Sequence, residues 1–577
     1  MPPLSVRSLI SRSRIPSLAV LAGLMVTLLA VLLIALIRIL TNLAFFGVVS
    51  TAESRPDFTH WGAAGILVPV AGGLLIGIMA RYGSPAIRGH GIPEAMQAIN
   101  TADSRIPARV ALLKPVSAAV SIGTGGPFGA EGPIIATGGA VGSLIGQWLP
   151  SSPVERKILL ASGAAAGMTA IFGTPLAAVL LAVELLLFEF RGRSFLPVAL
   201  AAGTAMALRS CFHEPLPMFP LVLTVAPGPA VSIASFLTGA VCGLLAVGVT
   251  RAVYGLEDAF EKLPVHWMWW PAIGGVAVGV IGWIDPRTLG VGYDNLRQLL
   301  DGNLPLGALA TLALWKFLSW WIALGSGTSG GTLAPLMTVG GAVGALLTHA
   351  LHPVPGFADF PTGLAVLIGM AATFAGASRA FLASVAFAFE ATHAVTAFGP
   401  LLLGCGAAVL VSRVLMRETI MTEKLARRAV RIPSEYEPDT LHGLVVREVM
   451  EPVELTVPPD ETVASLGGRM GTPGSPWHDV RLVPVVDGGR LVAVISRADV
   501  FAAMESAPAS TVLEAGVRHP VTAEAGENLA NAIDRMILHG IGRLPVTDAS
   551  GFGKLTGLLT RRAVLDARQR RHRSAVR

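Results

Sequence analysis

The chain has 577 residues, of which 53% are hydrophobic and only 14% are charged. Soluble domains carry about 25% charged residues, so this composition excludes a wholly soluble globular protein. The formal charge of +6 comes without a basic, aromatic face, so no nucleic-acid partner is expected. The apolar residues concentrate between positions 18 and 415. A membrane domain followed by a smaller cytosolic region is therefore predicted.

Apolar stretches recur through the first region, and some are interrupted by Gly and Pro. A membrane-spanning helix needs about 20 apolar residues, so shorter stretches must end inside the protein. The stretches long enough to span are 18–48, 62–81, 157–190, 195–212, 229–255, 268–284, 306–325, 362–376 and 378–415. The interrupted stretches are 108–148 and 331–352.

Basic residues flank the first and the last apolar stretch. Such residues favour the cytoplasmic side of a membrane, so both ends of the chain are expected there. The flanking basic residues are Arg7, Arg12, Arg14, Lys424, Arg427, Arg428 and Arg431. The three cysteines, Cys211, Cys242 and Cys405, lie in apolar stretches and are expected to be buried small residues, in neither a disulfide nor a metal site.

Two segments of the membrane region carry the same landmarks in the same order. Lys114 precedes Pro133 by 19 residues, and Lys316 precedes Pro335 by 19 residues. Each proline is followed by four other residues and then by Gly-Gly-Ala-Val-Gly. The shared spacing indicates two homologous halves.

A second matched pair of segments lies further along each half. Each is 22 residues long, and they end at Glu184 and Glu390. The halves are placed at about 18–212 and 229–421. Interrupted helices at matching places in two halves indicate a binding site near the middle of the membrane.

Three short segments place glycines just before a proline. Proline is favoured at the first position of a helix, and glycine lets a ligand approach the backbone closely. Each segment therefore predicts a helix N-terminus that presents free N–H groups to an anion. The segments are Gly89-His90-Gly91-Ile92-Pro93, Gly129-Ala130-Glu131-Gly132-Pro133 and Gly331-Thr332-Leu333-Ala334-Pro335.

With these motifs in this order, the membrane region resembles the CLC family of anion channels and anion/proton exchangers. The signatures of that family read G-S-G-I-P, G-[RK]-E-G-P and G-x-F-x-P. The resemblance implies a mostly α-helical membrane protein, built as an inverted repeat of broken and tilted transmembrane helices. It also implies a homodimer in a bacterial inner (plasma) membrane, with one pathway per subunit for chloride or a related anion. No enzymatic activity and no required cofactor are expected.

The resemblance gives Glu131 the role of the gating glutamate. An acid in an apolar segment is costly unless it is functional. Its carboxylate would compete with the anion for the helix N–H groups, and protonation would release it. The alternative is an acid that merely caps the helix. The resemblance assigns the anion pathway to Gly89, His90, Gly91, Ile92, Pro93, Gly129, Ala130, Gly132, Pro133, Gly331, Thr332, Leu333, Ala334 and Met421.

Four positions depart from the family pattern. His90 and Met421 replace the serine and the tyrosine whose hydroxyls usually contact the central anion. The transported anion is therefore expected to be chloride, nitrate, bicarbonate or another halide. Leu333 replaces the motif phenylalanine, and Ala130 replaces the basic residue before the glutamate. His90 either contacts the anion and makes transport pH-sensitive or points away. His90 and Met421 alone are too few ligands for a metal site.

The family's exchangers carry an inner glutamate that passes protons to the gate, directly after another glutamate. Here the pair reads Glu184-Leu185, and leucine cannot titrate. This favours an uncoupled channel. The alternative is an exchanger in which Glu184 or Glu189 substitutes, although the repeat partner Glu390 favours a structural role for Glu184.

The cytosolic region contains two β-α-β repeats that resemble a pair of CBS domains, a common C-terminal addition in the family. The segment Leu482–Asp487 of the first repeat resembles Arg543–Asp548 of the second. Such pairs often bind adenine nucleotides through a G-h-x-[ST]-x-x-D signature. The first repeat keeps Ser496 and Asp499, whereas the second keeps only Thr560. One nucleotide site or a purely structural module is expected.

The predicted organisation follows from these motifs. It comprises a cytosolic N-terminal segment at 1–17, a transmembrane domain at 18–421, a linker at 422–443, CBS repeats at 444–505 and 511–567, and a basic tail at 568–577.

Other classes of protein fit the sequence less well. A membrane enzyme is disfavoured because the sequence has no Ser/His/Asp cluster, metal motif or Walker loop. A CBS-regulated cation transporter needs carboxylates along its pathway, whereas these motifs present helix N-termini and a single acid. A nucleotide sensor with a passive anchor would not need interrupted helices arranged as a repeat.

Overall fold

The computed structural model describes residues 6–212, 217–223, 228–428, 430, 444–453, 455–548 and 553–575. Side chains at 6–12 and 571–575 are outside the described set. The predicted linker at 422–443 falls largely outside it as well, as do the side chains of Arg7 and Arg12 and all of Arg431. The chain divides into two units, Met1–Tyr436 and Glu437–Arg577.

The first unit is entirely helical over the described residues. Its first half holds α1 (Val6–Phe46), α2 (Leu67–Ile78), α3 (Ile92–Thr101), α4 (Ala108–Gly123), α5 (Glu131–Trp148), α6 (Pro153–Phe172), α7 (Pro175–Leu181) and α8 (Gly192–Arg209). Its second half holds α9 (Pro229–Glu261), α10 (Trp270–Ile284), α11 (Tyr293–Leu300), α12 (Leu306–Gly325), α13 (Leu333–Leu351), α14 (Thr362–Ser378), α15 (Phe381–Thr392) and α16 (Phe398–Leu415). A short helix, α17 (Glu423–Arg427), follows.

The two halves match helix for helix, which confirms the predicted repeat. Helix α5 packs on α6 as α13 packs on α14, and α1 packs on α8 as α9 packs on α16. Two matched pairs, α2 with α10 and α7 with α15, pack on each other and join the halves.

The repeated Gly-Gly-Ala-Val-Gly segments allow close contact between helices. A side chain at Gly138 would meet the backbone of Gly163 across the α5–α6 contact, and one at Gly340 would meet Gly369 across the α13–α14 contact. Small residues let backbones approach in this way inside membranes. Glycines are therefore required at these positions by the packing of α5 on α6 and of α13 on α14.

Seven helical segments of the described chain are long and apolar enough to cross a membrane. They are Ser13–Phe46, Gly62–Gly83, Pro229–Glu261, Trp267–Ile284, Leu306–Gly325, Leu333–Leu351 and Val395–Leu415. Large apolar side chains are exposed along several of them, including Leu28, Leu32, Leu67, Val280 and Val414. Such a surface suits lipid rather than water.

Several sequence expectations about this unit were wrong. The stretch 331–352 was predicted to be interrupted, but it forms the single apolar helix Leu333–Leu351. The stretch 362–376 was predicted to be long enough to span, but its helix, Thr362–Ser378, is one of the shorter apolar helices.

The stretches 157–190 and 378–415 are not single spans either. Gly173 ends α6 in a left-handed conformation with φ 67°, and Pro175 then begins α7. His393 ends α15 in the same conformation with φ 54°. Cys211 is exposed because it lies in the turn after α8, whereas Cys242 and Cys405 are buried as expected.

The second unit contains two similar α/β repeats. The first holds α18 (Val463–Gly471), β1 (Leu482–Asp487), β2 (Arg490–Ser496), α19 (Arg497–Ser506), α20 (Val512–Ala515) and β3 (Val517–Arg518). The second holds β4 (Ala523–Glu524), α21 (Leu529–Leu538), β5 (Arg543–Thr547), β6 (Leu555–Thr560) and α22 (Arg561–Ala575). Their three-stranded sheets have the orders β1-β2-β3 and β4-β5-β6. Most of the basic tail predicted at 568–577 belongs to α22.

Candidate anion pathway

The three glycine–proline segments lie against one another, although they are far apart in the sequence. Gly331 N–H donates to the Gly129 carbonyl at 2.9 Å, and Gly129 N–H returns a bond to Gly331 at 3.3 Å. Gly132 leaves no room for a side chain because the His90 carbonyl lies against it. The starts of α3, α5 and α13 are thus brought together by the fold.

The prolines occupy later helix positions than the sequence predicted. Pro93 is the second residue of α3, and Pro133 and Pro335 are the third residues of α5 and α13. The reason is that all N–H groups of the first turn lack an intrahelical partner, so proline costs no hydrogen bond at any of these positions.

Glu131 is the first residue of α5, and its side chain binds the start of α13. Its Oε1 atom accepts a hydrogen bond of 2.7 Å from the Ala334 N–H. Its Oε2 atom is buried and has no hydrogen-bond partner among the described residues. The side chain lies against Gly129 and Gly331, and the whole residue is 1% exposed. A carboxylate from one half therefore lies on the positive end of a helix from the other half.

The start of α3 is bound by a glutamate that sequence reasoning missed. Gly91 N–H donates to Glu94 Oε2 at 2.9 Å, so this predicted anion-binding group already has a partner. Lys424 Nζ donates to Glu94 Oε1 at 2.9 Å. The sequence did contain a signal for this contact. Glu94 follows Gly91, the residue before the helix, by three positions, which is the spacing of a capping box.

The two residues that replace the central hydroxyls are both buried. His90 is 7% exposed, and its Nδ1 atom has no hydrogen-bond partner in the described structure. The Met421 N–H donates to Thr419 Oγ1 at 3.2 Å. The preceding carbonyl, of Ile420, accepts a 2.7 Å bond from the Tyr254 hydroxyl. These two bonds fix the turn that carries Met421.

Leu333, which replaces the motif phenylalanine, lines a small apolar cavity of about 10 Å³ between α13, α14 and α15. Met337 and Phe374 also line this cavity. The remaining motif residue, Ala130, is fully buried, so a basic side chain at this position would have to be buried as well.

Two buried lysines hold the loops that lead into the helix starts. Lys114 Nζ donates to the carbonyls of Ile87 and Gly89 at 2.8 and 2.7 Å. Its repeat partner Lys316 donates to the carbonyls of Thr288 and Gly290 at 2.9 and 3.0 Å. The first lysine thereby fixes the loop that carries His90.

Glu184 and its repeat partner Glu390 make reciprocal contacts. Glu184 accepts from the N–H groups of Leu382 and Ala383 at the start of α15, both at 2.9 Å. Glu390 accepts from Leu176 and Ala177 at the start of α7, at 3.0 and 2.8 Å. Both oxygens of each carboxylate bind a helix end.

Leu185 lies in the π-helical turn Ala182–Leu187 and is 4% exposed. Its side chain is thus an apolar group at the position where the sequence predicted that an inner proton glutamate is lost. Glu189 binds Ser194 and Arg191 instead.

The candidate nucleotide residues of the second unit begin helices. Ser496 Oγ accepts from the Asp499 N–H at 3.2 Å and donates to the Asp499 carboxylate at 2.6 Å, which caps α19. Thr560 Oγ1 accepts from the Ala563 N–H at 3.1 Å at the start of α22. Helix capping accounts for all three residues.

Comparison with known proteins identifies the family. The model of the voltage gated chloride channel family matches residues 72–413, which is more than half of the chain. The chain belongs to the CLC family. The CBS domain model matches residues 446–506 and 514–570, so the second unit is a CBS pair. Together with the spanning helices, family membership makes the chain an integral membrane protein.

Bacterial relatives agree with this assignment. A chloride channel protein described as ClcB-like from Ralstonia nicotianae is 30% identical over 404 residues, covering 68% of this chain and 92% of the relative. The voltage-gated ClC-type chloride channel ClcB of an Escherichia coli strain is 28% identical over 386 residues, covering 66% of this chain and 91% of the relative.

Solved structures share the fold. A slow cyanobacterial Cl⁻/H⁺ antiporter matches with a TM-score of 0.65 and 22% identity, covering 72% of this chain and 98% of that chain. A eukaryotic CLC transporter matches with a TM-score of 0.61 and 20% identity, covering 96% of this chain and 99% of that chain.

The Glu94–Lys424 pair is expected to stabilise the first unit. The side chains are 21% and 26% exposed, so Lys424→Met leaves a half-buried carboxylate without its cation. We expect a loss of about 2 kcal/mol of stability, with partial recovery in Glu94→Gln/Lys424→Met. Thermal unfolding of the detergent-solubilised protein measures this effect. Lys262→Met, at an exposed position, is the control, and equal stability of Lys424→Met and wild type would contradict the expectation.

Proposed function

We propose that this protein transports chloride or a related small anion across a membrane and that Glu131 is its gate. The observation that supports this most directly is the hydrogen bond from the Ala334 N–H to Glu131 Oε1. The start of α13 is a site for an anion, and the carboxylate takes that site. Protonation removes its charge, weakens the bond and frees the site.

We further propose that the protein works as a homodimer in a bacterial inner membrane, with both chain ends on the cytoplasmic side. The bacterial relatives and the basic residues at both ends of the membrane region support this arrangement. The exposed apolar side chains are the surface for lipid and for the second subunit.

The proposed transport is uncoupled from proton movement. Leu185 cannot titrate, and both oxygens of Glu184 already bind the start of α15. Two similar solved structures, of a Cl⁻/H⁺ antiporter and of a CLC-type fluoride/proton antiporter, favour an exchanger instead. An exchanger built on this chain would need an inner proton donor other than Leu185.

His90 is proposed to contact the anion. Its buried Nδ1 atom without a partner supports this role, because a buried polar group is costly unless it is hydrogen-bonded. The charged groups acting on it are Glu94, Lys424 and Lys114.

Glu131→Gln is expected to remove the charge from the gate. At pH 7.5, chloride efflux from proteoliposomes should rise about tenfold, since a hydrogen bond to a charged group is worth about 1.5–3 kcal/mol. The efflux should also lose its dependence on pH between 5 and 8. Glu53→Gln, at an exposed position, is the matched control. An efflux rate at pH 7.5 and a pH profile that both equal those of wild type would contradict the gating role.

Replacing His90 should change the pH dependence of transport. Burial and the nearby Lys424 and Lys114 disfavour the charged imidazole of His90, so its charge changes below pH 5. We therefore expect His90→Ser, which restores the family hydroxyl, to flatten the part of the efflux profile below pH 5 that persists in Glu131→Gln. Substitution of the exposed His60 by serine controls for loss of a histidine. Efflux profiles of wild type and His90→Ser that coincide between pH 4 and 8 would rule out a pH-sensitive contact between His90 and the anion.

Simultaneous recording of chloride efflux and internal pH tests the uncoupled mode. We expect chloride to leave without stoichiometric proton uptake in wild type. Glu184→Gln should lower thermal stability, because it weakens the cap on α15, without altering this ratio. Proton uptake against its gradient, lost in Glu184→Gln, would instead establish an exchanger with Glu184 in the proton path.

A further inference from the structure

The structure contains a fourth helix start that the glycine–proline motifs did not reveal. Helix α11 begins at Tyr293, where its repeat partner α3 begins at Ile92. The preceding glycines, Gly290 and Gly292, have positive φ angles of 63° and 77°, as Gly89 and Gly91 have 87° and 94°. The loop is held by Lys316 as its partner loop is held by Lys114. It escaped notice because no proline follows the glycines.

Tyr293 is held by aromatic contacts on two sides. Its ring meets Phe172 edge-on with ring centres 5.9 Å apart and Phe219 with ring centres 6.1 Å apart. Such contacts fix the direction of the ring. The hydroxyl is directed to the backbone of Ala130 and is close enough to Glu131 for an electrostatic interaction.

The Tyr293 hydroxyl is buried, and no described residue accepts a hydrogen bond from it. Leaving a buried hydroxyl without a partner costs about 1–3 kcal/mol. The neighbouring Glu131 Oε2 atom is also buried without a partner in the described structure. One group is a donor and the other an acceptor, and rotation about the last bond of a glutamate side chain is soft.

We propose that the Tyr293 hydroxyl is a hydrogen-bond donor of the anion site at the start of α13. After a rotation of the Glu131 carboxylate, the hydroxyl donates to Oε2 when the gate is closed, and it donates to the transported anion when the gate is open. Tyr293 thereby supplies a hydroxyl to the pathway, although His90 and Met421 carry none. The inference rests on the proposed function, because it assumes that Glu131 and the anion exchange at one site.

The groups facing Glu131 determine how the proposal can be tested. Lys316 acts on it from α12, Tyr293 from α11, and the His90 backbone lies against the next residue, Gly132. Phenylalanine at position 293 removes only the hydroxyl and keeps the contacts with Phe172 and Phe219. The variant is therefore expected to fold.

Tyr293→Phe should weaken chloride binding and make the gate easier to protonate. Calorimetric titration of the solubilised protein with chloride should give a dissociation constant about five- to tenfold higher, the loss of one hydrogen bond. The pH of half-maximal efflux should move upward, because the carboxylate loses a donor that favours its charged form. In a Glu131→Gln background, the chloride effect should remain and the pH effect should vanish. Tyr82→Phe, at an exposed position, is the matched control.

A chloride dissociation constant and a pH profile equal to those of wild type in Tyr293→Phe would overturn the inference and leave the gate intact. An efflux profile of Glu131→Gln that keeps the wild-type pH dependence would overturn the proposed function itself. The inference would fall with it. The two failures are therefore distinguishable.

Discussion

The membrane unit depends on how its buried helix starts are satisfied. Helices that begin inside a membrane domain expose N–H groups that water cannot reach, and each unsatisfied group is expensive. Four carboxylates bind such starts here. Glu131 binds α13, Glu184 binds α15 and Glu390 binds α7, each across the boundary between the halves, while Glu94 binds its own helix α3. The contacts of Glu131, Glu184 and Glu390 also hold the two halves together.

These carboxylates differ in how firmly they are held, and the difference supports the proposed gating role of Glu131. Glu184 and Glu390 each use both oxygens on two N–H groups, so displacing either costs two charge-assisted bonds. Glu94 accepts a hydrogen bond from Lys424 in addition to the one from its helix start. Glu131 makes one bond and leaves one oxygen without a partner among the described residues. This difference is why we propose Glu131, of the four carboxylates, as the one that an anion displaces.

Much of the architecture could be predicted because its signals are local. Glycine and proline mark helix starts through backbone conformation alone, so the starts of α3, α5 and α13 were found from short segments. The matched spacings of Lys114 and Lys316 revealed the repeat. The breaks at Gly173 and His393 were missed because the surrounding sequence stays apolar on both sides.

The contacts of the site were less predictable because they join distant positions. Lys424 reaches Glu94 across 330 residues of sequence, and nothing near Tyr293 in the sequence indicates that it lies beside Glu131. The repeat predicted a structural role for Glu184 and Glu390. It did not predict which helix starts these two carboxylates bind. Repeat symmetry was the one sequence feature that carried long-range information.

The central claim is that the Glu131 carboxylate and the anion compete for the start of α13. Crystals grown in bromide test it directly, because bromide is located by its anomalous scattering. The account predicts a bromide within hydrogen-bond distance of the Ala334 N–H in Glu131→Gln, and the carboxylate at that position in wild type at neutral pH. Bromide bound there in wild type with the Glu131 side chain still on Ala334, or absent from that position in Glu131→Gln, would contradict it.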